Sequence, residues 1–314
     1  RMVGDRDDLL ETLNKNKTRF VIMARDEYTT DVPEHSDLRP AIYWDQRARG
    51  LGATDERPAV SCGEENLLCL PGDPYDTENI LIHEFAHALH QMAIVHVHPD
   101  FQDRLDKCFE LAIKEKIWEG TYASTNLYEY WAEGVQSWFD TNRENDHDHG
   151  TIDTREELKK SDPRLARLIQ ETLGPNKWRY RKPQDRAKPS PHMKGFDLKK
   201  EKPFAWPKKF ARWKKDFDRG LVSLAPEGTP MLKTMEPNEP RVRKSTFSRK
   251  RSMLYFHNIS QKSIILEWID FEGKPRQSRT LRHRDHAEIS SFVGHAWQIK
   301  DYETGIVSSR FVLP

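Results

Sequence analysis

The sequence predicts an α+β protein, mostly helical over residues 1–180 and an all-β sandwich over residues 246–314, and three observations predict it. In the first part apolar residues recur at helical spacing, as Ile80, Leu81, Leu89, Met92 and Ala93 do. After Ser245 the rhythm changes to short alternating strands, with Ile264, Leu266 and Trp268, and again His295, Trp297 and Ile299, alternating with their neighbours. Between the two, residues 181–245 are rich in proline, and from Arg181 to Lys250 basic residues outnumber acidic ones by about a dozen.

Taken in order, Leu9 to Asn14 reads as a helix and Arg19 to Ala24 as a strand. Ala59–Cys62 and Asn66–Leu70 read as short strands, one of them an edge on which an extended peptide could lie. Past Pro74, with Asp76 and Thr77 as caps, a mostly buried helix begins at Ile80. A helix from Phe101 to Trp118 follows. The loop at Thr121 runs into another, capped by Ser124, Thr125 or Asn126, whose stripe is Tyr128, Trp131, Ala132, Val135, Trp138 and Phe139. Glu156 to Leu173 reads as one helix with Leu158, Leu165, Leu168 and Ile169 inward. The connector has the composition of a solvated linker. Its interleaved Phe204, Trp206, Phe210, Trp213 and Phe217 argue that part of it packs, with Lys208 to Arg219 a short helix. In the last part, turns fall at Glu272-Gly273 and Glu303-Thr304-Gly305.

The 51 basic and 50 acidic residues leave the chain nearly neutral, and the basic connector comes with no recognised nucleic-acid module, so nucleic acid is not expected as a partner. No apolar run is long enough to cross a membrane. Cys62 and Cys69 are close enough for a disulfide between adjacent strands, and Cys108 reads as a buried thiol. Asn16-Lys17-Thr18 and Asn258-Ile259-Ser260 fit a glycosylation sequon, a common chance triplet. The chain begins without methionine, which sets the expectation of a removed leader and a secreted or extracytoplasmic protein, with a cytoplasmic one as the alternative.

The most informative segment is His83-Glu84-Phe85-Ala86-His87. On a helix it sets two imidazoles one turn apart on one face, able to share an ion, with Glu84 about 100° round and able to reach a water on that ion. A buried cluster of this kind needs a compensating ion or hydrogen bonds. A catalytic zinc, one per chain, needs a third protein ligand and an open fourth position. Glu129 and Glu133 lie one turn apart on the later helix: one can ligate while the other receives the outer N–H of a ligand histidine. His90, His96 and His98 are read as histidines at and beyond a helix end rather than a second metal site, and the loop Glu144 to Gly150 as a solvated turn.

This set, with Asn126-x-x-Glu129-x-x-x-Glu133 and Tyr122 four residues before the asparagine, resembles the glutamate-ligated zinc peptidases, most closely the anthrax lethal factor catalytic domain and its relatives. The group is also similar to the clostridial enzymes that cut between prolines. The resemblance implies a zincin-type catalytic domain with His83, His87 and Glu129 as zinc ligands, Glu84 as base, Tyr122 as a donor to the oxyanion, and Glu133 as a carboxylate behind a ligand histidine. It implies hydrolysis of a peptide bond by a zinc-activated water, without a covalent intermediate. The alternative is a peptide-binding protein with a structural or vestigial zinc site.

The stretch from Leu254 through Trp297 is similar to the β domain of the von Hippel-Lindau tumour suppressor. In that family the domain holds a hydroxyproline in an aromatic pocket, which implies that Trp268, Ser291, His295 and Trp297 form such a pocket here and that the polypeptide partner is proline-rich or contains hydroxyproline. Ser278 stands where the family has a pocket tyrosine. The chain stops at Pro314, where the family's helical domain would begin, so no ubiquitin-ligase adaptor is expected.

Overall fold

The computed structural model describes residues 1–314 apart from His147 and Pro189, and apart from the side chains of Arg241, Gln277 and Ser278. The chain forms two compact units, Arg1–Pro207 and Lys208–Pro314. The stretch 181–245, read as a connector, is therefore divided between them.

In the first unit α1 (Asp7–Lys15) leads to β1 (Arg19–Met23), α2 (Ala41–Arg47), β2 (Gly50–Leu51), β3 (Ala59–Gly63) and α3 (Glu64–Leu68). The sheet order is β1-β3-β2, with β1 parallel and β2 antiparallel to β3. Two expectations change here. The apolar run Asn66–Leu70 belongs to a short helix and its end, so no pair of adjacent strands carries Cys62 and Cys69, and both thiols are free. The strand at Ala59 is central and wholly buried, which leaves β1 and β2 as the two edges of this sheet.

Helix α4 (Ile80–Leu89) passes into a π-helical turn (His90–Ile94) and the short α5 (Val95–Val97). Then come α6 (Phe101–Lys114), α7 (Leu127–Trp138), α8 (Arg155–Ser161) and α9 (Pro163–Leu173). The helix expected to reach Trp118 stops at Lys114, and Lys116 takes φ +59°. The single helix expected over Glu156–Leu173 is two, since Pro163 begins a new helix whose cap is Asp162. Burial follows the predicted faces: Leu158, Leu165, Leu168 and Ile169 are inside, as are Trp131, Val135, Trp138 and Phe139. Tyr128 departs from its stripe at 47 % exposed. α4 and α7 pack directly, and the Trp131 Nε1–H donates to the Ala86 carbonyl at 2.9 Å. Part of the basic stretch belongs to this unit, for Phe204 is buried and its N–H donates to the Pro71 carbonyl at 2.8 Å.

The second unit opens with α10 (Lys208–Asp218), which buries Phe210 and Phe217 and exposes its lysines. It continues through β4 (Arg251–His257), β5 (Ile264–Ile269), β6 (Pro275–Leu281), β7 (His286–Phe292), β8 (Ala296–Asp301) and β9 (Val307–Val312). The strands form two antiparallel sheets, β4-β7 and β6-β5-β8-β9. The two predicted turns are the β5–β6 and β8–β9 connections. The Asn258 sequon is occupied by the fold itself: the amide is buried and donates to the carbonyls of Lys262, Leu281 and Arg282. Among the described residues no helix is long and apolar enough to cross a membrane.

Candidate metal centre

The start of α4 is set by two asparagines rather than by Asp76 or Thr77. Asn79 is the cap, its side chain accepting from the Ile82 N–H at 3.0 Å, and the buried Asn66 accepts from the Ile80 N–H at 2.9 Å. On the other side β2 and the residue that follows it lie so close to α4 that a Cβ at Gly52 would stand 2.6 Å from the His87 Cβ, and one at Gly50 2.5 Å from Ile80. Only glycine fits at these two places. Helix α7 is capped by Asn126, whose side chain accepts from the N–H groups of Tyr128 and Glu129 at 2.9 and 3.1 Å. This puts Glu129 in the first turn, where the helix dipole favours a carboxylate.

α4 and α7 together bring His83, His87 and Glu129 to one point. His83 Nε2 lies 3.1 Å from His87 Nε2 and 3.1 Å from Glu129 Oε2, and His87 Nε2 lies 3.3 Å from the same oxygen. Donors held about 2.0–2.1 Å from a tetrahedral ion stand about 3.3–3.4 Å apart, so three sides of that figure are nearly formed. These three residues could hold a metal ion. The charges agree with the geometry. Burial disfavours an imidazolium at His83, yet the bond to Glu129 and the charges of Glu84, Glu129 and Glu133 raise it well above its ordinary value. Burial likewise opposes the Glu129 carboxylate, and His87 and His83 hold it well below the usual range. The cluster therefore favours a positive charge between its members.

The group behind His83 is Gln136, which sequence reasoning missed. The His83 Nδ1–H donates to Gln136 Oε1 at 2.7 Å, and the Gln136 amide donates to Glu78 Oε2 at 2.9 Å. Glu133, expected in that place, is 3.5 Å from Nδ1 and accepts instead from Asn142 at 2.9 Å. A signal was present, since Glu129, Glu133 and Gln136 lie at i, i+4 and i+7 on one face of α7. His149 was missed too: it donates to Asp146 Oδ1 at 2.8 Å and stands 3.5 Å from Glu133 Oε2.

Glu84 and Tyr122 line the same cleft of about 520 Å³, together with the backbone of β2. Burial raises the Glu84 carboxyl above its ordinary value, against the pull of His83 and His87. Burial and the adjacent Glu129 push the Tyr122 phenol well up, so it remains a hydrogen-bond donor, its ring stacked 6.4 Å from that of His83. His90 is apart from this cluster, buried and 2.9 Å from Gln102.

In the second unit the structure brings together three of the four predicted pocket residues. Ser291 Oγ is 3.0 Å from His295 Nδ1, and the Trp268 ring lies 5.2 Å from that of His295. Phe271, unpredicted, closes on both rings at 5.6 and 5.8 Å. Trp297 pairs with Trp268 across β5 and β8 but is buried among Leu254, Phe311 and Leu313. The Ser278 side chain lies outside the described residues. Compared with known families, residues 243–306 of this chain match the VHL beta domain.

Proposed function

We propose that the chain is a zinc-dependent peptidase whose C-terminal β unit holds proline- or hydroxyproline-containing segments of its polypeptide substrates. The convergence of His83 Nε2, His87 Nε2 and Glu129 Oε2 within 3.3 Å of one another carries the reading. Zinc bound there would polarise a carbonyl and bring the pKa of a water toward neutrality. Glu84 takes the proton of the attacking water and returns it to the leaving amine, a role suited to a carboxyl raised by burial. Tyr122 donates to the oxygen on which charge develops. Gln136 holds the Nδ1 proton of His83 and so leaves the Nε2 lone pair facing the metal position. Neither Glu84 nor Tyr122 is needed merely to hold an ion, and this favours an enzyme over a structural metal site.

For the β unit, the Ser291–His295 pair under the Trp268 ring supports the binding role, offering a hydroxyl and an imidazole beside a flat apolar wall. The test is to incubate zinc-loaded protein with a peptide library that includes proline and hydroxyproline, and to read cut sites by mass spectrometry. Cuts absent from a Glu84→Gln control establish the peptidase. One equivalent of zinc bound with no cuts would replace it with a peptide-binding protein whose zinc is structural.

A further inference from the structure

We propose that Arg47 selects the substrate by taking a carboxylate, so that the polypeptides cut in this cleft carry an acidic side chain, or their C-terminal carboxylate, close to the scissile bond. The inference rests on the peptidase reading and names its substrate class. Three arginines line the cleft, Arg47, Arg49 and Arg143. Two are already engaged. Arg49 is fully buried, paired with Glu65 through two nitrogens and bonded to the carbonyls of Ala24 and Glu27. Arg143 is paired with Glu78 and Asp146. Among the described residues Arg47 has no carboxylate at ion-pair distance. It is exposed to solvent, its guanidinium lies 5.7 Å from the Trp44 ring, and the phenols of Tyr43, Tyr75 and Tyr122 and, less strongly, the Glu129 carboxylate are the polar groups that act on it.

Glu129 and Glu84 act on Arg47 through space, yet among the described residues neither stands at ion-pair distance from it. Glu78 serves Arg143 and Gln136, Glu133 serves Asn142 and His149, and Glu129 faces the two histidines. The position also suits a specificity contact. Arg47 is the last residue of α2 and stands three residues before Gly50, which opens β2. The Tyr75 hydroxyl donates to the Arg47 carbonyl at 3.3 Å and ties that backbone to the cleft wall. β2 pairs with β3 on one side only, so its free edge can take an extended peptide. A strand rises about 3.3 Å per residue, so a peptide lying along β2 carries its side chains past Arg47 within a few residues of the metal cluster. A guanidinium meets a carboxylate through two parallel hydrogen bonds and meets a neutral amide far less well.

The experiment uses the full zinc-loaded chain and matched peptides that differ only as Glu against Gln at each position around a cut site, with a further pair bearing a free or an amidated C-terminus. The wild type is expected to favour the carboxylate member of one pair by tenfold or more in kcat/KM. Arg47→Gln should bring that ratio close to one, Arg47→Lys should retain part of it, and Arg47→Glu should turn the preference toward Lys at the same position. The pair that responds identifies the carboxylate as side-chain or C-terminal. Calorimetric binding of the same peptides to the Glu84→Gln protein should show the same ratio and its loss on adding Arg47→Gln. A wild type indifferent to the carboxylate, or an Arg47→Gln protein that loses all peptides equally and keeps the ratio, overturns the inference. Absence of any cleavage by the wild type overturns the peptidase reading instead, and the calorimetric ratio then still decides whether Arg47 binds a carboxylate.

Discussion

Gln136 shows how much of a candidate metal site can rest on one neutral side chain. Its carbonyl oxygen fixes the His83 tautomer while its amide is held by Glu78, so replacing it by Leu leaves both the Nδ1–H and a Glu78 oxygen without their partner. Loss of such a supporting group costs about 10–100-fold in metal affinity. Chelator competition on Gln136→Leu should read a loss in that range, with the His87 and Glu129 geometry unchanged. His149 carries a pH signature. Burial disfavours its imidazolium, but hydrogen bonds and charge from Glu133 and Asp146 outweigh this and raise its pKa to about 9. A folded pKa above the unfolded value of about 6.5 gives stability that is complete below 6.5 and lost as pH rises through 9. In the zinc-free protein His149 should account for up to about 3 kcal/mol of the stability lost between those values by urea unfolding, so His149→Gln should decline less steeply across the same window, the slope that remains belonging to His83.

The break between α8 and α9 is carried by Asp162, buried and shared among three donors. It caps α9 through the Leu165 N–H at 3.2 Å, and it accepts from the Tyr130 hydroxyl at 2.6 Å and the Trp118 Nε1–H at 3.1 Å. Asp162→Ala removes a cap worth about 1 kcal/mol and leaves two buried donors unmet at about 1–3 kcal/mol each, so a loss of about 3–7 kcal/mol is expected by urea unfolding. A loss under 1 kcal/mol would mean that water replaces the carboxylate. The same elements show what could be read beforehand. Helical spacing announced the His83–His87 pair, because period alone sets that face. Strand alternation announced β5 and β8 for the same reason. The run Asn66–Leu70 was misread because a short apolar stretch suits a strand or a helix equally, and only the burial of Asn66 against Asp73, Tyr75 and Glu78 decides it. Gln136 and Arg47 were hidden for another reason. Their significance lies in what faces them from other elements, α4 for one and the open β2 edge for the other.

At the scale of the molecule, a net charge of +1 conceals two unlike halves. Residues 1–207 hold 38 acidic and 30 basic side chains, whereas residues 208–314 hold 21 basic and 12 acidic. The β unit is thus the cationic part of the chain, joined covalently to an acidic unit that contains His83, His87 and Glu129. If the β unit binds a segment of the substrate, the covalent link would present the rest of that polypeptide to the cleft at an effective concentration of about a millimolar, an advantage open only to a substrate long enough to engage both sites. If the pocket binds its segment with a dissociation constant of about 0.1 mM, the tether is worth about tenfold in KM. His295→Ala in the full chain should therefore raise KM about tenfold for a long proline-rich polypeptide and leave a ten-residue peptide cut from it unaffected. The comparison isolates the tether, because His295 lies in the β unit and the ligand cluster in the other. Equal losses on both substrates would show that the β unit supports the catalytic unit structurally, and no loss on either would place substrate capture elsewhere on the chain. Raising the salt separates the two sources of capture further. A pocket that reads proline through aromatic contact keeps its tenfold advantage at high ionic strength, whereas capture by the basic surface of residues 208–314 fades as exposed charges are screened.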